Sequence, residues 1–267
     1  NGTGTLTNDG TLQTVQDQGN VRYVELALTN NGTVEIGAAD TRQDYSTATV
    51  NNGAWKVDSG AKFAVTAGTF DNEGAITNNG PFVSSVVFTE HGTSDAGSSP
   101  VVLRAGSLID RAGSGWFNIE GSVAVSGTVP TGQTVTLLGT GATGNAIATV
   151  NAAGVINDGT INLDSNNSGD YADLSGGGTL TNNGSLVTVQ DAGGTRYIEA
   201  PLINASAGTV KIGAADTRQD YSTATVNNGT WTVDPAGVIT VTAGTWDDAG
   251  ALVNNGGFVS SVPFTQD

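Results

Sequence analysis

A three-residue turn, Asn-[Asn/Asp]-Gly, recurs along this chain with its glycine at Gly10, Gly32, Gly53, Gly80, Gly159, Gly184, Gly229 and Gly256. Neighbouring turns are spaced by one coil, about 21–27 residues. The exceptions are the Gly80–Gly159 gap and Gly208, where the turn reads Ala-Gly. Each turn follows an apolar residue and precedes an alternating run, as in LTN-NGTVEI, TVN-NGAWKV, ITN-NGPFVS and VIN-DGTINL. Strict alternation marks a strand with one buried face. A turn and a few short strands at this period are what one coil of a parallel β-solenoid requires. Asn and Gly suit corners with a left-handed backbone, and Asn can stack in a ladder on the Asn of the next coil.

Helix formers are scarce, the chain has 39 glycines, and no long segment keeps a helical period. The expected fold is therefore all-β: a right-handed parallel β-helix (β-solenoid) with coils of about 21–27 residues. Twelve or so coils would rise roughly 55 Å at the strand spacing of a sheet.

A longer repeat is superimposed on the coils. Residues 4–91 align with 178–267 at an offset of 174, which becomes 176 after Asn204. The stretch GAADTRQDYSTATVNNG is identical at Gly37–Gly53 and Gly213–Gly229. The expected organisation is one continuous rod, 1–267, with half-unit 4–91, a connecting half-unit 92–177 and a second copy at 178–267. Residues 92–150 of the connecting part lack the corner turns but alternate at Ser122–Ser126 and Gln133–Leu137. This stretch reads as the same solenoid with altered corners and an excursion at His91–Pro100; an inserted β-sandwich is the competing reading. Both ends fall inside repeat-like sequence, as expected for a piece of a longer protein.

The net charge of −16, from 25 acids and 9 bases, argues against a nucleic-acid partner, which needs clustered Lys and Arg. It equally disfavours an anionic membrane surface. No membrane-spanning or signal-peptide-like run occurs, so membrane insertion is not expected. The absence of Cys rules out disulfides and thiol catalysis.

Tandem T-L-T-N-[ND]-G-T-[LV] coils resemble those of large bacterial cell-surface β-strand-repeat proteins, adhesins and autotransporter passengers, whose right-handed β-helix is like that of pectate lyases. The likeness covers the whole chain and is one of architecture. It implies an extracellular or surface-anchored structural rod, engaged with glycans or other cell-surface polymers and stacked on neighbouring repeats of the same chain.

Trp55 and Trp231 fall in the second slot after the corner glycine, which alternation sends into the core; Phe70 and Trp246 share that assignment. Of Trp116 and Phe117, one ring is expected outside. In VRYVELAL the apolar set Val24, Leu26 and Leu28 points inward, leaving Tyr23 and Glu25 outward. Tyr45 follows Tyr23 by the length of one coil, which would set the two rings on adjacent rungs and Arg22 beside Asp44. Arg22, Tyr23, Asp40, Arg42, Gln43, Asp44 and Tyr45 are thus expected in one outward patch, repeated by Arg196, Tyr197, Asp216, Arg218, Gln219, Asp220 and Tyr221.

Three readings of the patch stand side by side. Arg–Asp pairs and stacked Tyr rings could tie down a protruding loop. Tyr faces with Asp, Arg and Gln could hold a glycan. Asp17, Asp40 and Asp44 could hold calcium, although no calcium-loop motif is present. Catalysis is not expected, because a patch duplicated along a rod is unlike the single groove of an enzyme, and the lone His91 has Asp267 as its counterpart; the alternative is a carbohydrate-binding module or a polysaccharide-active β-helix enzyme fragment, with Arg42 between Asp40 and Asp44 as the base of a lyase. TxT triplets do not recur in register, so an ice-binding Thr array is not supported.

Overall fold

The computed structural model describes residues 4–16, 19–45, 47–92, 96–221 and 223–266. Among them there is no helix, and so none long and apolar enough to cross a membrane. The chain is an all-β, parallel β-solenoid of about 12 turns, divided into compact units of residues 1–118 and 119–267.

In the first unit each complete coil contributes one strand to each of three faces. The first face stacks Thr5–Asn8, Ala27–Asn30, Ala48–Asn51, Thr69–Asn72 and Val87–Glu90, all parallel and in register. The second stacks Thr11–Thr14, Thr33–Ile36, Ala54–Val57 and Ala75–Asn78. The third stacks Arg22–Tyr23, Thr41–Gln43, Phe63–Val65, Phe82–Ser84 and Val101–Leu103. Alternation explains the core. In Ala54–Val57, Trp55 and Val57 are buried while Ala54 and Lys56 are not. Trp55, Phe63, Phe70, Phe82, Phe88 and Phe117 form an aromatic column down the interior, with successive ring centroids 4.9 to 6.2 Å apart. Trp116 is the exposed member of its pair. Within the expected excursion at His91–Pro100, residues 93–95 lie outside the described residues, and Ala96–Gly97 returns to the second face beside Thr77 and Asn78.

The second unit repeats the scheme. Trp231 and Trp246 are buried and meet edge to face at 4.5 Å, and Trp246 continues onto Phe258 at 5.1 Å. Over Ser122–Val129 and Ala146–Asn157 a different corner is altered, the one between the third and first faces. Ala146–Asn157 is one strand whose residues 146–149 pair with Ala172–Ser175 and whose residues 155–157 pair with Leu180–Asn182. It rounds the corner between the third and first faces without a break. Ser122–Val129 does the same with a register shift between Val125 and Gly127. The corners of this segment are altered, yet its strands stack in parallel on those of the coils that follow.

An asparagine ladder runs along the first corner. Nδ2 of Asn8 donates to Oδ1 of Asn30, Asn30 to Asn51, and Asn51 to Asn72, each at 2.7 Å. Asn72 ends the series by donating to the carboxylate of Glu90 at 2.8 and 3.0 Å. The second unit repeats this from Asn157 through Asn182, Asn204 and Asn227 to Asp248, at 2.7 to 2.8 Å. The second Nδ2 proton goes to a backbone carbonyl of the next coil, Asn8 to Thr33 at 2.9 Å and Asn182 to Thr209 at 3.0 Å. A primary amide both donates and accepts, so it can occupy every interior rung, whereas a carboxylate only accepts and fits the last. The middle residues of the turns form a shorter outer ladder of opposite sense: Asn52 donates to Asn31 at 2.9 Å, and Asn31 to Asp9 at 2.8 Å. Asn183 likewise donates to Asp158. The choice between Asn and Asp in the turn thus follows from ladder direction.

Two expectations about the corners are corrected. Among the described residues no non-glycine residue has positive φ, and Gly32, Gly53 and Gly74 do not have it either. Glycine is needed at these corners because a Cβ at Gly53 would lie 2.2 Å from the carbonyl oxygen of Gly32, and one at Gly74 would lie 2.0 Å from that of Gly53. Close stacking, not a left-handed backbone, selects it. Gly80 and Gly256 do not belong to this corner. The coil mate of Gly53 is Gly74, in the variant turn Asn72-Glu73-Gly74, while Gly80 packs against Ala61 at the following corner. Coil length is accordingly more uneven than expected: the step from Thr69 to its partner Val87 falls below the expected span, and that from Gly127 to its partner Val155 exceeds it.

Cutting the inner ladder at a middle rung should be costly. Asn51→Ala leaves the Asn30 amide without its acceptor in a buried site, a loss of about 1–3 kcal/mol, whereas Asn52→Ala in the exposed outer ladder should cost about 0.5 kcal/mol or less. Urea denaturation of the two variants checks the difference.

Candidate functional site

The third face of the second unit carries the strands Ala172–Ser175, Arg196–Ile198 and Thr217–Gln219. Their register is Ala172–Arg196–Thr217 and Asp173–Tyr197–Arg218. Adjacent residues of a strand point to opposite sides. Asp173, Tyr197 and Arg218 therefore face outward, and Arg196, Thr217 and Gln219 face the interior.

This corrects part of the expected patch. Arg196 is 1% exposed and donates to the backbone carbonyls of Leu163 at 3.3 Å, Val189 at 3.0 Å and Gly194, with Asp164 at 3.6 Å. It clamps the loop before its own strand. Burial lowers its pKa, while Asp164 and Asp191 pull it back up. Arg22 holds the matching carbonyls of Val15 and Asn20 and pairs in register with Thr41, so it does not meet Asp44 by a one-coil step. Gln43 and Gln219 are buried as well. Gln43 donates to the carbonyls of Thr47 and Ala67 and accepts from Thr49 at 2.6 Å; Gln219 donates to that of Thr223 and accepts from Thr225. Both side chains fill the corner between the third and first faces and leave nothing for a ligand.

Tyr23 and Tyr45 are both half exposed, but the rung mate of Tyr23 is Arg42. The third-face step is short here because the loop from the second face spans Val15–Val21 in one coil and Gly37–Asp40 in the next. Asp40 and Arg42 are locked to each other by a forked pair at 2.6 to 3.2 Å, as are Asp216 and Arg218 at 2.9 and 3.1 Å. The Arg42 hydrogen bonds hold the Asp40 carboxyl below its ordinary value. At Asp216 burial acts upward, and the hydrogen bonds from Arg218 and Thr195 outweigh it. A carboxylate engaged in this way is a poor calcium ligand, and Asp17 of the expected trio lies outside the described residues. Among the described residues, the group of potential metal ligands within 4.8 Å of one another is a different one: Asp71, Glu73 and His91. Ala249 stands in the place of Glu73 in the second copy, so this trio is not repeated.

What the fold does bring together is an outward cleft of about 490 Å³ lined by Tyr171, Asp173, Tyr197, Glu199, Asp220 and Tyr221. Tyr171 and Tyr197 meet edge to face with centroids 5.4 Å apart, and Tyr221 is 67% exposed. Asp220, Tyr221 and Tyr197 belong to the expected patch; Tyr171, Asp173 and Glu199 do not. Alternation already marks Glu199 as outward through its counterpart Glu25, and a one-coil step back from Tyr197 leads to Asp173. The first copy repeats Tyr23, Glu25, Asp44 and Tyr45 at the corresponding positions, whereas counterparts of Tyr171 and Asp173 would fall ahead of the first residue given.

The cleft is electrostatically loaded. Burial pushes the Asp173 carboxyl up to about 6, opposed by a hydrogen bond with Ser175 and aided by the charge of Asp220. Burial, a hydrogen bond with Asp220, and the charges of Asp173 and Asp220 push Glu199 up to about 8. Oδ1 of Asp173 is buried with no hydrogen-bond partner.

Compared with family models, curated proteins and solved structures, the chain matches none. Its class rests on its own architecture: a parallel β-solenoid whose third face carries an aromatic, carboxyl-lined cleft.

Two outcomes follow. The raised carboxyls keep their protons longer in the folded chain than in the unfolded one, so stability is full below the unfolded values of 3.8 and 4.5 and falls as pH rises through about 6 and about 8. Urea midpoints of Glu199→Gln should vary less between pH 4.5 and pH 8 than those of the parent. Arg196→Ala, which strips three carbonyls and Asp164 of a buried partner, should lower stability by about 3–5 kcal/mol in the same assay.

Proposed function

We propose that this chain is an extracellular structural and adhesive region of a large bacterial surface protein, which holds weak glycan sites outward on a stiff solenoid. The observation that carries the reading is the cleft: three tyrosines beside three carboxyl groups on an outward face. Tyrosine rings offer flat apolar faces to the C–H surfaces of a sugar, and the carboxyls accept hydrogen bonds from its hydroxyls. The cleft is open and polar, which suits a polymer passing across it better than an enclosed small molecule. Sites repeated along a chain would turn weak single contacts into avidity. The resemblance of the T-L-T-N-[ND]-G-T-[LV] coils to surface β-strand repeats supports the location.

A second reading is that of a polysaccharide-active β-helix fragment. It is favoured by Asp173 and Glu199, two carboxyls of one cleft whose pKa values are raised to different levels, as an acid–base pair needs.

A glycan array probed with the chain and with the Tyr197→Ala/Tyr221→Ala double variant tests the first reading. Signals on a defined set of glycans should fall about ten-fold or more in the variant; equal signals would remove the cleft as the binding site. New reducing ends from a bound polysaccharide, lost in Glu199→Gln, would favour the enzyme instead.

A further inference from the structure

The cleft has an imbalance that a neutral sugar does not resolve. Its lining holds three carboxyl groups, Asp173, Glu199 and Asp220, and no cationic side chain. Arg218 on the same face stands one rung beyond Tyr197; it makes two hydrogen bonds to Asp216, and its charge also acts on Tyr197 and Asp220 from outside the lining. Asp173 keeps a buried Oδ1 with no donor. Around these groups stand the rings of Tyr171, Tyr197 and Tyr221, whose faces carry negative electrostatic potential. Three carboxyl groups with no cationic side chain among them, in a partly dehydrated wall of aromatic rings, describe a receptor suited to a positive charge.

Resting on the glycan reading above, we propose that the cleft is selective for glycans bearing free amino groups, with the ligand ammonium seated between Asp173, Glu199 and Asp220 against the tyrosine rings. Three features of the site converge on this class. An ammonium supplies donors to the carboxyl groups of a lining that has no cationic side chain of its own. It replaces the hydration that burial has removed from the carboxyls, at a distance where charge attraction is strong. Its C–H neighbours on the pyranose ring pack on tyrosine while the charge gains from the ring faces. Acidic glycans are excluded by the same geometry, since a ligand carboxylate would face three of its own kind.

Glu199, raised to about 8 by burial, Asp220 and Asp173, is mostly protonated at neutral pH. Seating a cation beside it favours the ionised form, so the proton leaves for the buffer as the ammonium enters. Charged groups facing Glu199 are Asp173 and Asp220, and both favour a bound cation in the same way.

Calorimetry with a glucosamine hexamer, its fully N-acetylated form and a galacturonate oligomer, on the 267-residue chain, tests the proposal. The glucosamine hexamer should bind about ten-fold or more tighter than the acetylated one, and the galacturonate oligomer should not bind. The observed heat should change between buffers of different ionisation enthalpy, reporting proton release that Glu199→Gln abolishes. Because the whole chain is acidic, Tyr197→Ala and a control with two exposed acids removed elsewhere, Glu73→Gln/Asp247→Asn, separate the cleft from its general field. Loss in the first and retention in the second are expected. Equal or tighter binding of the acetylated hexamer would overturn the ammonium site and leave the glycan reading standing. Glucosamine binding unaffected by Tyr197→Ala would overturn it as field attraction alone. No binding of any glycan would remove the glycan reading itself.

Discussion

The structure depends on a directional hydrogen-bond chain buried at one corner. Every inner-ladder asparagine donates toward the higher-numbered coil, so the side-chain dipoles line up head to tail and polarise one another. In each copy the asparagine chain runs onto a carboxylate, Glu90 accepting from Asn72 and Asp248 from Asn227. The outer ladder runs the other way and ends at Asp9 and Asp158. A coil slipped by one residue would put Thr29 or Asn31 in the place of Asn30 on the ladder and turn Leu28 out of the core. Register is therefore specified by polar matching at the corner and by aromatic packing inside, two requirements that fail together.

That register is what creates the site. Once the first corner is fixed, each third-face strand stacks on the one below, and its outward residues become columns. Asp173–Tyr197–Arg218 is one such column, with Glu199, Asp220 and Tyr221 just beyond the strand ends. Neither the tyrosines nor the carboxyls are close in sequence. They meet because the third-face strands stack in register, Asp173 on Tyr197 and Tyr197 on Arg218. The buried clamps Arg196 and Gln219 hold the loops on either side of this strand group. Residues that looked like ligand groups thus position the surface from beneath.

Much of the fold was legible. The Asn-Gly corners, the inward Trp55 and Trp231, and the laddering of asparagine all follow from alternation and period, which are local properties. The site was only half legible, for two physical reasons. First, alternation was applied to Tyr23 and Glu25 but not to their neighbours, and the same rule sends Arg22, Gln43, Arg196 and Gln219 inward. Second, a uniform one-coil step placed Tyr45 beside Tyr23, whereas the third-face rung mate of Tyr23 is Arg42. Loops between faces differ in length, and steps as unlike as Thr69 to Val87 and Thr134 to Thr160 cannot be read from one corner motif. Gly80 and Gly256 show the same effect, being turn motifs of a different corner.

The most direct test of this account is hydrogen exchange of the asparagine side-chain amides, read by NMR. If the inner ladder is the buried, directional chain described, the Nδ2 protons of Asn30, Asn51, Asn182 and Asn204 exchange far more slowly than those of Asn31 and Asn52. Exchange of the two sets at similar rates would contradict it.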